Sequence, residues 1–100
     1  MRVLIADPQT TVRRALSIWI NGQPGWKVVG ESSNALDLID KLNQLSSDVV
    51  IIDSELPGIP LREMVARIRQ DCGNAAIILL FNDSLEQFHP ELLDVDYCIR

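Results

Sequence analysis

The chain opens with Val3-Leu4-Ile5-Ala6, a short apolar run closed by Asp7-Pro8, which reads as a buried strand. Val12, Ala15, Leu16, Trp19 and Ile20 then recur at i, i+3, i+4, i+7 and i+8, so they share one face of a helix. Asn21-Gly22 and Pro24-Gly25 stop that helix, with Gly22 placed as its left-handed cap. Trp26 to Gly30 alternates enough to form a second strand, near a sheet edge. Asn34, with Asp37 three residues on, marks a second helix start, and Ala35, Leu38, Ile39, Leu42 and Leu45 are its apolar stripe. Val49 to Ile52 is a third strand, apolar throughout and therefore expected to be covered on both faces. Leu61, Met64, Val65 and Ile68 form the stripe of a third helix. Ala76 to Phe81 is another two-faced apolar strand, and Tyr97-Cys98-Ile99 is a short fifth one. Between those two, Asp83-Ser84-Leu85-Glu86 reads as a helix start, but Pro90 follows four residues later, so a fourth helix should be short, broken or displaced.

Strands alternating with helical stripes imply βαβ units, one parallel sheet, and right-handed crossovers that put helices on both faces. Ligand sites in such sheets lie outside the carboxyl ends of the strands, where the strand order reverses. Asp7 and Asp53 both follow the last apolar residue of their strands. If strands one and three are neighbours, as in the doubly wound order 2-1-3-4-5, the two carboxylates converge on one crevice. Paired strand-end carboxylates suit a hard divalent cation such as Mg²⁺. An aspartate can also be a nucleophile towards phosphorus. Taken alone, either residue is better explained as a cap for the following turn or helix.

Composition narrows the class. At 100 residues, 47% hydrophobic and 23% charged, the chain reads as a single compact domain over residues 1–100. A net charge of -5 argues against direct binding of nucleic acid or an anionic membrane by this piece. No apolar run approaches membrane-spanning length, and nothing resembles a signal peptide. Cys72 and Cys98 lack partners at metal or disulfide-framework spacing, as expected of reduced thiols in a cytoplasmic protein. His89, beside Pro90, reads as an isolated surface histidine. A dinucleotide site would need a glycine-rich turn after the first strand, and Asp7-Pro8-Gln9-Thr10-Thr11 contains no glycine.

Over almost its whole length the chain resembles the receiver domain of bacterial response regulators. The resemblance rests on Val3-Leu4-Ile5-Ala6-Asp7 with Val12-Arg13 and Leu16, on Trp26 to Glu31, and above all on Asp48-Val49-Val50-Ile51-Ile52-Asp53 with Pro57-Gly58. The early segments look most like the subfamily with a helix-turn-helix output domain. The resemblance implies a flavodoxin-like α/β fold, a five-stranded sheet in the order 2-1-3-4-5, and no enzymatic activity of its own. It also implies Mg²⁺-dependent acceptance of a phosphoryl group from a histidine kinase on Asp53, with Asp7 and the backbone carbonyl of Glu55 as further metal ligands.

The departures from that family are specific. The usual acidic pair after strand one is here Asp7-Pro8, so one metal carboxylate is missing. The Thr or Ser that normally ends strand four is Leu80, or Phe81 if the register slips by one. Neither can donate a hydrogen bond. The lysine expected after strand five corresponds to Arg100, a planar fork in place of a compact ammonium, while the aromatic switch position is kept as Tyr97. The sequence also ends before the family's fifth helix. Either a longer protein has been trimmed, or the sheet face beside the Val12–Ile20 helix is left partly bare; a bare face is expected to drive self-association or to receive a partner domain. These features favour a degenerate receiver acting as a protein-interaction module, with Mg²⁺ binding weakened. The alternative is a working phosphoacceptor.

Overall fold

The computed structural model describes residues 1–81 and 93–99. Its elements are β1 (Arg2–Ala6), α1 (Thr10–Asn21), β2 (Lys27–Ser32), α2 (Ala35–Gln44), β3 (Val49–Asp53), α3 (Leu61–Asp71), β4 (Ala76–Leu80) and β5 (Tyr97–Ile99). The expected helix start at Asp83–Glu86, together with His89, Pro90 and Arg100, lies outside the described residues.

All the strands are parallel, in the order β2-β1-β3-β4-β5. Because side chains alternate along a strand, each central strand feeds two cores. Leu4, Ala6, Val50, Ile52, Ile77 and Leu79 point to one face, where α2 and α3 close a large cluster with Leu38, Leu42, Met64, Val65 and Ile68. Val3, Ile5, Val49 and Ile51 point to the other, where α1 contributes Ile20 to a smaller cluster. Burying the first set removes the largest apolar side chains from water, each worth about 1.5–3 kcal/mol relative to exposure.

Three local expectations need correction. Gly22 is right-handed (φ -77°), with its N–H shared between the carbonyls of Ile18 and Trp19, both at 3.2 Å. The chain turns back three residues later, at Gly25 (φ 81°), so that glycine carries the left-handed conformation. β2 is shifted towards its C-terminus relative to Trp26–Gly30 and runs to Ser32, held at the edge by the Asn21 side chain, which accepts from Val28 N–H at 2.8 Å. β4 is not equally covered on its two faces. Ile77 and Leu79 are buried, whereas Ala76, Ile78 and Leu80 are only half-buried on the α1 side. The apolar pattern of β4 is two-faced, but the described helices close only one of those faces fully.

The α2 start follows its sequence pattern. Asn34 Oδ1 accepts from Asp37 N–H at 2.9 Å, and Asp37 pairs with Lys41 one turn on. That pairing holds the Asp37 carboxyl below its ordinary pKa.

Candidate functional site

Ala6 stands opposite Ile52 in the β1–β3 ladder, so Asp7 and Asp53 follow at the same level at adjoining strand ends. Asp53 is itself the last residue of β3, opposite Leu80 of β4. Their parity along the strands, shared with Ile5 and Ile51, aims both carboxylates at the α1 face.

Each aspartate also shapes its own turn. Asp7 is 2% exposed, and its Oδ1 accepts the Gln9 N–H at 2.8 Å, which starts the lead into α1. Arg13 folds back from the first turn of α1. Its Nη1 donates to the Asp7 carbonyl at 2.6 Å, and its Nε lies 3.5 Å from Glu31 Oε1. Asp53 Oδ1 accepts the Glu55 N–H at 2.7 Å, and Ser54 N–H donates to the Leu80 carbonyl at 2.8 Å. The loop then docks on α2, where Ala35 N–H donates to the Pro57 carbonyl at 2.8 Å. Gly58 sits at φ 116°, and a Cβ there would lie 3.3 Å from that of Ala35, so glycine meets both constraints. Both aspartates therefore cap their own turns while lining one crevice.

The crevice encloses about 270 Å³. Asp7, Asp53, Glu55 and Gln9 form its polar side; Val12, Leu80, Phe81 and Ile99 form its apolar wall. Burial pushes the Asp7 carboxyl above its ordinary pKa, and the adjacent Asp53 charge adds to the rise. The Gln9 N–H and the Arg13 guanidinium oppose it in part. Among the described residues no group of three or more His, Cys, Asp or Glu side chains is arranged to hold a metal ion. The donor set is two facing carboxylates, which a divalent cation would fit by relieving their mutual repulsion; Pro8 is exposed and offers no third.

The fold thus brings together Asp7, Asp53, Glu55 and Leu80, and Phe81 joins them. Tyr97 does not line the crevice; it is 64% exposed opposite Ile78. Ile99, two residues on and opposite Leu80, fills that place. Ile99, Val12 and Gln9 escaped the motif reading. The period-two alternation of β5 could have pointed to Ile99 once the β4–β5 register was known.

A doubly wound parallel sheet with paired aspartates at the reversal of strand order defines a receiver-type signalling fold. The model of the response regulator receiver domain matches residues 3–97, and the chain belongs to that family. A protein-glutamate methylesterase/protein-glutamine glutaminase of Nocardioides sp. is 32% identical over 94 residues, covering 94% of this chain and 25% of the relative. The chain thus spans about a quarter of the length of that curated relative. Among solved structures, the response regulator domain of Thermotoga maritima CheB superposes with a TM-score of 0.85 at 25% identity, covering 99% of this chain and 76% of that one. A LuxR-family DNA-binding response regulator from Staphylococcus aureus gives 0.82 at 25% identity, covering 98% and 83%. No helix among the described residues is long and apolar enough to cross a membrane.

Proposed function

We propose that this receiver is degenerate, a regulatory interaction module in the cytoplasm whose output does not require phosphorylation of Asp53. The observation that carries this is the wall opposite Asp53. Leu80 and Phe81 occupy the place where a phosphoryl oxygen would need a hydroxyl donor, and neither side chain can supply one. The other end of the site is weakened as well, because Pro8 leaves Asp7 as the single carboxylate after β1. Phosphoryl transfer relies on neutralising the charge that spreads over three oxygens, so losing donors at both ends slows it.

The juxtaposition of Asp7 and Asp53 supports a second reading, a slow but working phosphoacceptor. In it, Asp53 Oδ attacks the phosphorus of a phosphohistidine or acyl phosphate, and the P–N or P–O bond to the donor breaks. Asp7, Asp53 and the Glu55 carbonyl would hold Mg²⁺, which supplies neutralisation of the phosphoryl oxygens. The Asp7 side chain keeps its place through Gln9 N–H throughout. Partners in either reading are a histidine kinase or another signalling protein, and an output domain joined to residues 1–100.

Incubation with Mg²⁺ and acetyl phosphate or beryllofluoride, followed by intact-mass measurement and fluorescence titration, separates the two. The degenerate reading expects no adduct at millimolar donor. An adduct that disappears in Asp53→Ala would overturn it.

A further inference from the structure

We propose that Arg13 is a positioning residue of the crevice: its guanidinium holds the turn after β1 so that the Asp7 carboxylate stays aimed at the Asp53 side. The inference stands whether or not Asp53 accepts phosphate.

The turn has few other anchors. Three residues, Asp7-Pro8-Gln9, join β1 to α1. Pro8 is exposed and has no N–H to donate. Gln9 occupies the N-cap position of α1, but its side chain makes no capping bond. The Asp7 N–H donates to the Ser32 carbonyl at 3.0 Å, which fixes the end of β1 against β2. The bond from Gln9 N–H to Asp7 Oδ1 is internal to the turn. Arg13 Nη1, donating to the Asp7 carbonyl, adds what these lack: a tie from a side chain of α1 to the residue that carries the carboxylate.

The second observation is that Arg13 stands where a helix disfavours it. It lies one turn into α1, close to the end where the dipole favours acids, and that first turn contains no acid. Its side chain is nevertheless only 14% exposed. A cation so placed needs acceptors. Arg13 meets three: the Asp7 carbonyl, Thr10 Oγ1 at 3.1 Å, and, on β2, Glu31 Oε1 at 3.5 Å from Nε. The nitrogens of a guanidinium diverge in a fixed fork, so one side chain addresses all three; a lysine ammonium is a single point. Arg14, the next residue, carries the same charge but is exposed and does not line the crevice. The local preference is broken at Arg13, and the turn beside Asp53 is what compensates it.

The test compares Arg13→Gln and Arg13→Lys with Arg14→Gln, which removes the same charge from the neighbouring position. NMR reads two quantities on the 100-residue chain: amide exchange at Gln9, and the shifts of the Gln9 and Glu55 amides on titration with Mg²⁺. Charge alone and positioning predict opposite signs. Losing a cation near two carboxylates should tighten Mg²⁺ binding, whereas losing an orienting partner should weaken it. The expected result for Arg13→Gln is lost protection at Gln9 and Mg²⁺ affinity lower by roughly ten- to hundredfold. Arg13→Lys should recover only part of both, and Arg14→Gln should match the unaltered chain or bind slightly tighter. Exchange at Val50 and Ile52 reports the fold in each variant and should not change. Retained Gln9 protection in Arg13→Gln would overturn the proposal, as would Mg²⁺ binding that is unchanged or tighter. Equal weakening in Arg14→Gln, or a loss at Val50 and Ile52 as large as at Gln9, would overturn it too. Should the unaltered chain take up no Mg²⁺, the degenerate reading gains support and Gln9 exchange alone decides on Arg13.

Discussion

Asp7 and Asp53 stand side by side at the ends of β1 and β3, and the charge of Asp53 opposes ionisation of Asp7 in a position already costly to charge because it is buried. A fold that retains this arrangement accepts instability where a ligand would act.

Asp7→Asn should therefore stabilise the metal-free protein. The amide oxygen still accepts the Gln9 N–H, while the buried charge is gone. Folded Asp7 titrates above its ordinary 3.8, so its proton is bound more tightly in the folded than in the unfolded chain. That contribution is full below the ordinary value and is lost as pH rises through the folded one. The substitution should consequently raise Tm at pH 7 and do so much less at pH 3. Thermal melts at the two pH values check this. Equal gains at both would place the effect elsewhere.

On the degenerate reading, restoring chemistry requires both ends of the crevice. Pro8→Asp alone should raise Mg²⁺ affinity, read by titration, with little gain in adduct lifetime. Adding Leu80→Thr should then allow beryllofluoride to bind. Because Leu80 is half-buried against the α1-side cluster, its shorter, polar replacement should cost about 1–2 kcal/mol of stability. If Pro8→Asp by itself yields a full adduct, the wall opposite Asp53 is not the obstacle.

The five strands were legible because apolar runs and their spacing set them locally, whereas the strand order that brings the two aspartates together was implied by the family resemblance. What escaped reading depended on how distant segments meet. Gly22 looked like a left-handed cap by composition, yet the chain defers its reversal to Gly25, since Gln23 N–H and Trp26 N–H still find turn partners at Ile20 and Gln23. Tyr97 matched a motif position, but the register Ile99↔Leu80 puts Ile99 at the crevice in its place. The half-covered face of β4 could not be read from five consecutive apolar residues, which say nothing about which helices arrive.

The β1–β2 ladder carries an irregularity between Val3 and Leu4, where Val3 faces Val28 and Leu4 faces Gly30. A Cβ on Gly30 would come within 2.9 Å of Leu4 Cδ2 and 3.1 Å of Lys41 Cδ. Lys41 can swing away, but Leu4 is fully buried and cannot. Gly30→Ala should cost about 1–3 kcal/mol in urea unfolding, as overpacking does. A neutral result would mean that the bulge relaxes to admit a side chain.

Arg69, near the end of α3, ties the short β5 to the rest of the sheet. Its Nη1 donates to the Ala75 carbonyl at 2.9 Å, its Nε to the Asp94 carbonyl at 3.1 Å, and its Nη2 to Asp96 Oδ2 at 2.8 Å. The same Asp96 oxygen accepts the Ile77 N–H of β4 at 2.7 Å. The Ile77 N–H first, and Arg69 next, hold the Asp96 carboxyl below its ordinary 3.8. A depressed folded value means that this stabilisation is present above the ordinary one and is lost as pH falls through the folded one. Asp96→Asn should therefore remove part of the acid sensitivity, while Arg69→Met should release β5 locally and leave the α2–α3 core intact. Hydrogen exchange reads the difference: in Arg69→Met, protection should drop at Phe81, whose N–H donates to Ile99, and persist at Val50 and Ile52. Uniform loss of protection across the sheet would show that β5 is part of the global folding unit, and the Arg69 clamp would then belong to the core instead of acting locally.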